Sequence, residues 1–222
     1  MTDQRNGHYM HTSTGKKYWP MDPRPAEVET EVIAHHLATR CRYNGAVQHP
    51  DVPNRMFYSV AEHSVYVAMM VARWGGNTAE VGCALFHDAS EAFNGDLIRP
   101  LKYDPMFSEP FKHVEEVNER VVSEALSLPY PFPHIVKRAD EAVTAAELRQ
   151  IVPHDPNVEF NSKLHDDSVV APIKVAMMDP FDAKHFFLVA AKCWDGGLIE
   201  AFQEDGALYH INGASAAGIL AA

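Results

Sequence analysis

Cysteine is scarce in this chain. Its 222 residues hold three, Cys41, Cys83 and Cys193, and none sits in a CxxC pair. That excludes a disulfide framework and points to a reducing compartment. Long apolar runs are also missing and the N-terminus is polar, so neither a membrane span nor a signal peptide is expected. Positive charge is short: 19 Lys and Arg stand against 30 Asp and Glu, a formal net charge of −11. Such a surface argues against broad binding of nucleic acid or anionic membranes. It leaves room for a small anionic substrate in a local cationic pocket. No internal repeat, coiled-coil pattern or Gly-rich phosphate cradle is found. What remains is a hydrophobic content of 46%, enough for one substantial core, and 13 histidines.

The patterning is helical. Residues 1–25 are polar and rich in Gly, Lys and Pro, which suggests an extended or mobile arm. Val28, Val32, Ile33 and Leu37 then recur at helical spacing. Ser59-Val60-Ala61-Glu62 has the form of a capping box and opens a helix that Gly75-Gly76 stops near Trp74. Asn77-Thr78-Ala79-Glu80 repeats that logic and predicts a second helix to about Phe93, antiparallel to the first. Residues 96–110 read as irregular. Further helices are expected over Phe111–Leu126, His134–Ile151 and, after Asp179-Pro180, to about Trp194. Val169–Met178 reads as a short β segment or an extended strap.

The chemistry-bearing residues fall on apolar stripes. Val81, Ala84, Leu85, Asp88 and Ala92 share one face of the second helix, with His87 at its edge. Val60, His63, Val67 and Met70 form a stripe on the first. Val136, Ala139, Asp140, Val143 and Ala146 form one on the His134 helix. Each of these polar residues, taken singly, also fits a hydrogen-bonded core side chain or a surface carboxylate. Together they place His63, His87, Asp88 and Asp140 inward from three helices. An unpaired buried carboxylate costs several kcal/mol, and a metal ion removes that cost. Mixed imidazole and carboxylate donors suit Mn, Co, Fe, Ni or Zn.

This order of ligands resembles the HD-domain phosphohydrolases. Tyr58-Ser59-Val60-Ala61-Glu62-His63-Ser64 is similar to a segment of the small HD-domain 5′-nucleotidases and their phage relatives. So is Phe86-His87-Asp88-Ala89-Ser90-Glu91, followed by Gly95-Asp96 and Pro100-Leu101-Lys102; Ala139-Asp140 resembles their late A-D segment. The likeness covers roughly residues 27–150. It implies an all-α fold, a single HD-domain helical bundle over 26–213 with a short irregular or β segment near the C-terminus. An arm over 1–25 and a tail over 214–222 flank it.

Glu91 lies one turn after His87, where it would orient or deprotonate a metal-activated water, directly or through Asp96. A carboxylate near a helix C-terminus is disfavoured by the dipole, which suggests a functional reason for it. The resemblance gives the same role to the glutamate of HDxxE. It also implies that Arg42, followed by the aromatic Tyr43, contacts the phosphate and base, with Lys102 as second phosphate ligand. Asp96 would meet the sugar hydroxyl or hold a second ion, Mg or Mn, at the phosphates. The reaction expected first is that of a deoxynucleoside triphosphate triphosphohydrolase of dATP type. A 5′-deoxynucleotidase is the alternative, and a non-catalytic nucleotide-binding HD regulator stands outside both. The protein is expected in the cytoplasm, that of a host if phage-encoded, as a homo-oligomer without nucleic-acid or membrane partners.

Overall fold

The computed structural model describes residues 5–159, 169–203 and 208. Helices dominate: α1 (Thr30–Ala38), α2 (Val60–Arg73), α3 (Thr78–Leu85), α4 (Glu91–Asn94), α5 (Arg99–Lys102), α6 (Ser108–Ala125), α7 (His134–Gln150), α8 (Pro180–Asp195) and α9 (Glu200–Gln203). The regular sheet among the described residues is one hairpin, β1 (Met10–His11) against β2 (Lys17–Tyr18). No described helix is long and apolar enough to cross a membrane.

Helix α2 is the axis of the bundle. Every residue from Val60 to Ala72 is buried, and α1, α3, α7, α8 and α9 pack around it. An all-round apolar helix has no stable place except inside others. Its ends are set locally. The Ser59 side chain accepts from the Glu62 amide, and Gly75 takes a positive φ of 82° at the far end. Asn77 and Glu80 form a complete capping box at the start of α3. Asp179 caps α8 by accepting from the amides of Phe181 and Asp182. Gly82 lets α3 approach α8: a Cβ there would lie 2.4 Å from the Trp194 indole nitrogen, which donates to the Thr78 carbonyl.

Three expectations change, and one open alternative is decided. The second helix does not run to Phe93 but ends at Leu85, and Phe86–Ser90 form turns before α4. There the amides of Ala89 and Glu91 reach back three residues, to the Phe86 and Asp88 carbonyls, so the backbone is wound tighter than an α-helix. The irregular 96–110 stretch contains α5 and the first turn of α6. The N-terminal segment is no loose arm. Tyr18 is fully buried, stacks on Phe93 with centroids 3.7 Å apart, and donates to Asn118 Oδ1 at 2.7 Å. Residues 170–178 form the strap rather than a β segment. Their amides bond to side-chain acceptors on α2 and α7, including Glu62 and Gln150, so no strand partner is needed. The expected 214–222 tail lies outside the described residues.

Candidate active site

The tightened turn after α3 is what presents the His-Asp pair. His87 Nδ1 donates to the Ala84 carbonyl at 2.8 Å, capturing one of the acceptors left over where the helix stops. That bond leaves Nε2 pointing away from the backbone. His63 on α2 repeats the arrangement: its Nδ1 lies 2.6 Å from Glu147 Oε1 on α7. A carboxylate only accepts, so Nδ1 carries the hydrogen and Nε2 is the outward atom. Donor atoms of His63, His87 and Asp88 lie within 4.8 Å of one another. Asp140 closes the group from α7, with Oδ1 at 3.2 Å from His63 Nε2.

These residues fit a divalent ion. The Nε2 atoms of His63 and His87 are both buried and lack a hydrogen bond. Each instead faces carboxylate oxygen: Asp88 Oδ2 is 3.2 Å from His87 Nε2 and 3.7 Å from His63 Nε2. Nitrogen and oxygen atoms converging in this way could hold a divalent cation. Burial and Arg42 oppose charge on His63, but Glu147 and Asp140 outweigh them and push it up to about 9. Burial would raise Asp140, yet the His63 ring 3.2 Å away and the charges of His63 and His87 bring it down to about 2.

Glu91 opens α4 instead of closing α3, so the helix-end argument for it falls away. Its position is nevertheless telling. The side chain is buried, Oε2 has no hydrogen-bond partner, and burial together with Asp88 and Asp96 holds it well above the usual carboxylate range. Burial and neighbouring negative charge favour its protonated form, and a carboxyl perturbed in this way is a candidate for proton transfer. Asp96 is raised by burial too. Packing supports this wall from behind, because His36 on α1 bonds the Ala92 carbonyl at 2.8 Å.

Arg42 reaches the site from the turn before α2. Its Nη1 is 3.4 Å from Asp88 Oδ2 and its Nε 3.3 Å from Glu147 Oε2. Tyr43 and Asn44 follow in the left-handed region, at φ 54° and 52°, with Gly45 at 81°. Two consecutive non-glycine residues there cost roughly 1–2 kcal/mol each. The Arg42 amide bonded to the Tyr58 carbonyl holds the turn against the start of α2. The Tyr43 hydroxyl donates to Glu147 Oε2 at 2.6 Å, which ties the turn to α7. Lys102 is near enough to feel Glu91 and Asp88, but its ammonium is 2.8 Å from Glu115 Oε1 on α6.

Sequence reasoning missed Glu147, the most connected side chain here. It also missed Glu115 and Glu119 of α6, which add negative charge beside Asp88. Glu147 stands seven residues after Asp140, two turns along the same face, and that spacing was the available signal.

The comparisons bear on this geometry. A family model described as 5′-deoxynucleotidase YfbR-like matches residues 50–155, a span that contains His63, His87, Asp88, Glu91 and Asp140. An uncharacterised protein of Rhodobacter capsulatus is 33% identical over 138 residues, 61% of this chain and 67% of that protein. The uncharacterised protein YfdR of Escherichia coli K12 is 30% identical over 143 residues, 64% of this chain and 72% of that one. The chain belongs to the YfbR-like HD-domain family. A 5′-deoxynucleotidase of Photorhabdus laumondii is 30% identical over 106 residues, 42% of this chain and 54% of the enzyme. The YfbR-like span covers α2 to α7, while Arg42 and its turn lie before it.

Proposed function

We propose that the protein is a metal-dependent 5′-deoxynucleotidase, which hydrolyses a deoxynucleoside 5′-monophosphate to the deoxynucleoside and phosphate. The observation that carries this reading is the convergence of four ligand-type side chains beside a buried carboxyl with one uncommitted oxygen. His63, His87, Asp88 and Asp140 would hold a divalent ion. Bound there, such an ion supplies a Lewis acid and lowers the pKa of water. Arg42 holds the phosphate through its planar fork, with Lys102 as the second cation. Glu91 takes the proton of the attacking water and, with Asp96 beside it, keeps that proton near the leaving sugar oxygen. The new bond joins water oxygen to phosphorus, and the bond to the 5′ oxygen breaks.

The relatives named 5′-deoxynucleotidase favour this reaction over the triphosphate cleavage expected first. The charge inventory agrees. Arg42 and Lys102 are already ion-paired, and Glu91, Asp96, Glu115 and Glu119 surround the same space. A triphosphate would bring several more negative charges against few uncommitted cations. The test is a panel of deoxynucleoside mono- and triphosphates incubated with Mn(II) or Co(II), with products separated by chromatography. Phosphate and deoxynucleoside should appear from the monophosphates. Release of intact triphosphate, with monophosphates untouched, would overturn the proposal, as would binding of both without any product.

A further inference from the structure

Glu147 has no place in the reaction just described, yet it is fully buried and gathers three hydrogen bonds and the Arg42 guanidinium. The donors divide between its oxygens. Oε1 accepts from His63 Nδ1 and from the Tyr58 hydroxyl, each at 2.6 Å. Oε2 accepts from the Tyr43 hydroxyl at 2.6 Å and faces Arg42 Nε at 3.3 Å. One side therefore meets a candidate metal ligand, and the other meets the candidate phosphate-binding turn. The donors come from residues 42–63, while Glu147 sits on α7 with Asp140.

We propose that Glu147 is a positioning residue with a separate task for each oxygen. Oε1 fixes His63 in the tautomer and ring orientation that turn Nε2 toward the ion. Oε2 holds the left-handed Arg42-Tyr43-Asn44 turn so that the guanidinium lies beside the centre. Only an ionised carboxylate accepts all three hydrogen bonds and pairs with the guanidinium while presenting no donor of its own. An amide here would aim an N–H2 group at Arg42 and Tyr43, or at His63 and Tyr58. Acceptors behind metal-ligating histidines commonly change metal affinity by about 10–100-fold when lost. The turn adds a second dependence, since its strained backbone needs an anchor and Tyr43 reaches α7 through this carboxylate alone among the bonds described. The inference rests on the reading of the site as a metal-dependent phosphohydrolase centre.

The experiment titrates metal-free protein with cobalt(II), following its visible absorption, and separately measures KM for a deoxynucleoside monophosphate at saturating cobalt. Glu147→Gln should bind cobalt about 10–100-fold more weakly and show a raised KM. Tyr43→Phe, which cuts only the Oε2 side, should keep the wild-type cobalt affinity and raise KM. Tyr58→Phe, which cuts only the Oε1 side, should weaken cobalt binding several-fold and leave KM near wild type. This pair decides the matter even if Glu147→Gln does not fold. Wild-type cobalt affinity and KM in folded Glu147→Gln, or the same behaviour in both tyrosine variants, overturns the positioning role while the centre stands. A wild-type protein that takes up no cobalt brings down the centre itself and the inference with it.

Discussion

Glu62 on α2 and Glu147 on α7 are both fully buried glutamates, yet the fold treats them oppositely. Glu62 clamps the strap: it accepts from the amides of Ala176, Met177 and Met178 and from the Tyr66 hydroxyl. Burial pushes it up to about 7, and those neutral donors only soften the shift. Burial acts on Glu147 in the same direction, but Arg42 and His63 outweigh it and hold it at about 2. Depth alone therefore decides little. The charge of the donors separates a carboxylate that fastens chain to chain from one that organises a site. Stability should depend most on the strap corner, and activity on the site corner.

The largest expected effect tests the site side. Glu91→Gln should lower turnover about 10²–10⁴-fold. It should leave the thermal midpoint unchanged or higher, because a neutral amide suits a place where ionisation is disfavoured. A steep loss of stability with turnover retained would erase the distinction between the corners. Glu62→Ala comes next. It strands three amides, two of them buried, and should cost about 3 kcal/mol in urea unfolding, while cobalt(II) affinity stays at the wild-type level. Weak metal binding in the folded variant would show that the strap corner serves the site as well.

The smallest effect concerns the α6 wall. Burial, then Glu115 and Asp88, raise Glu119 from 4.5 to about 7. A raised folded value means that the ionised carboxylate burdens the fold. That burden is absent below pH 4.5 and complete above about pH 7. Glu119→Gln should accordingly raise the thermal midpoint at pH 8 and do almost nothing at pH 4.5. Equal thermal midpoints for the two proteins across that range would place Glu119 in open solvent.

The two corners differ in how far they could be read in advance. The caps at Ser59, Asn77 and Asp179 were legible, because a cap is a bond between residues two or three apart. Even so, Ser59-Val60-Ala61-Glu62 concealed the role of Glu62, which leaves its own helix end to hold the strap. The His-Asp pair was found by its apolar surroundings but assigned to the middle of a helix. Periodicity over 78–93 continues smoothly across a turn whose bonds span three residues instead of four. The bond from Tyr43 to Glu147 was not legible, since nothing near Tyr43 in the chain announces a partner 104 residues away.

By itself the sequence determined a mostly helical chain, the starts of α2, α3, α7 and α8, and the identity of the inward polar residues His63, His87, Asp88 and Asp140. These follow from short-range bonding and a 3.6-residue period. Tertiary structure alone decided which nitrogen of each histidine faces the centre, that Arg42 lies beside Asp88, and that Glu147 stands behind both. Those outcomes depend on α7 and the turn before α2 meeting in space. Their electrostatics depend on which charges share a buried volume, and spacing along the chain does not encode that.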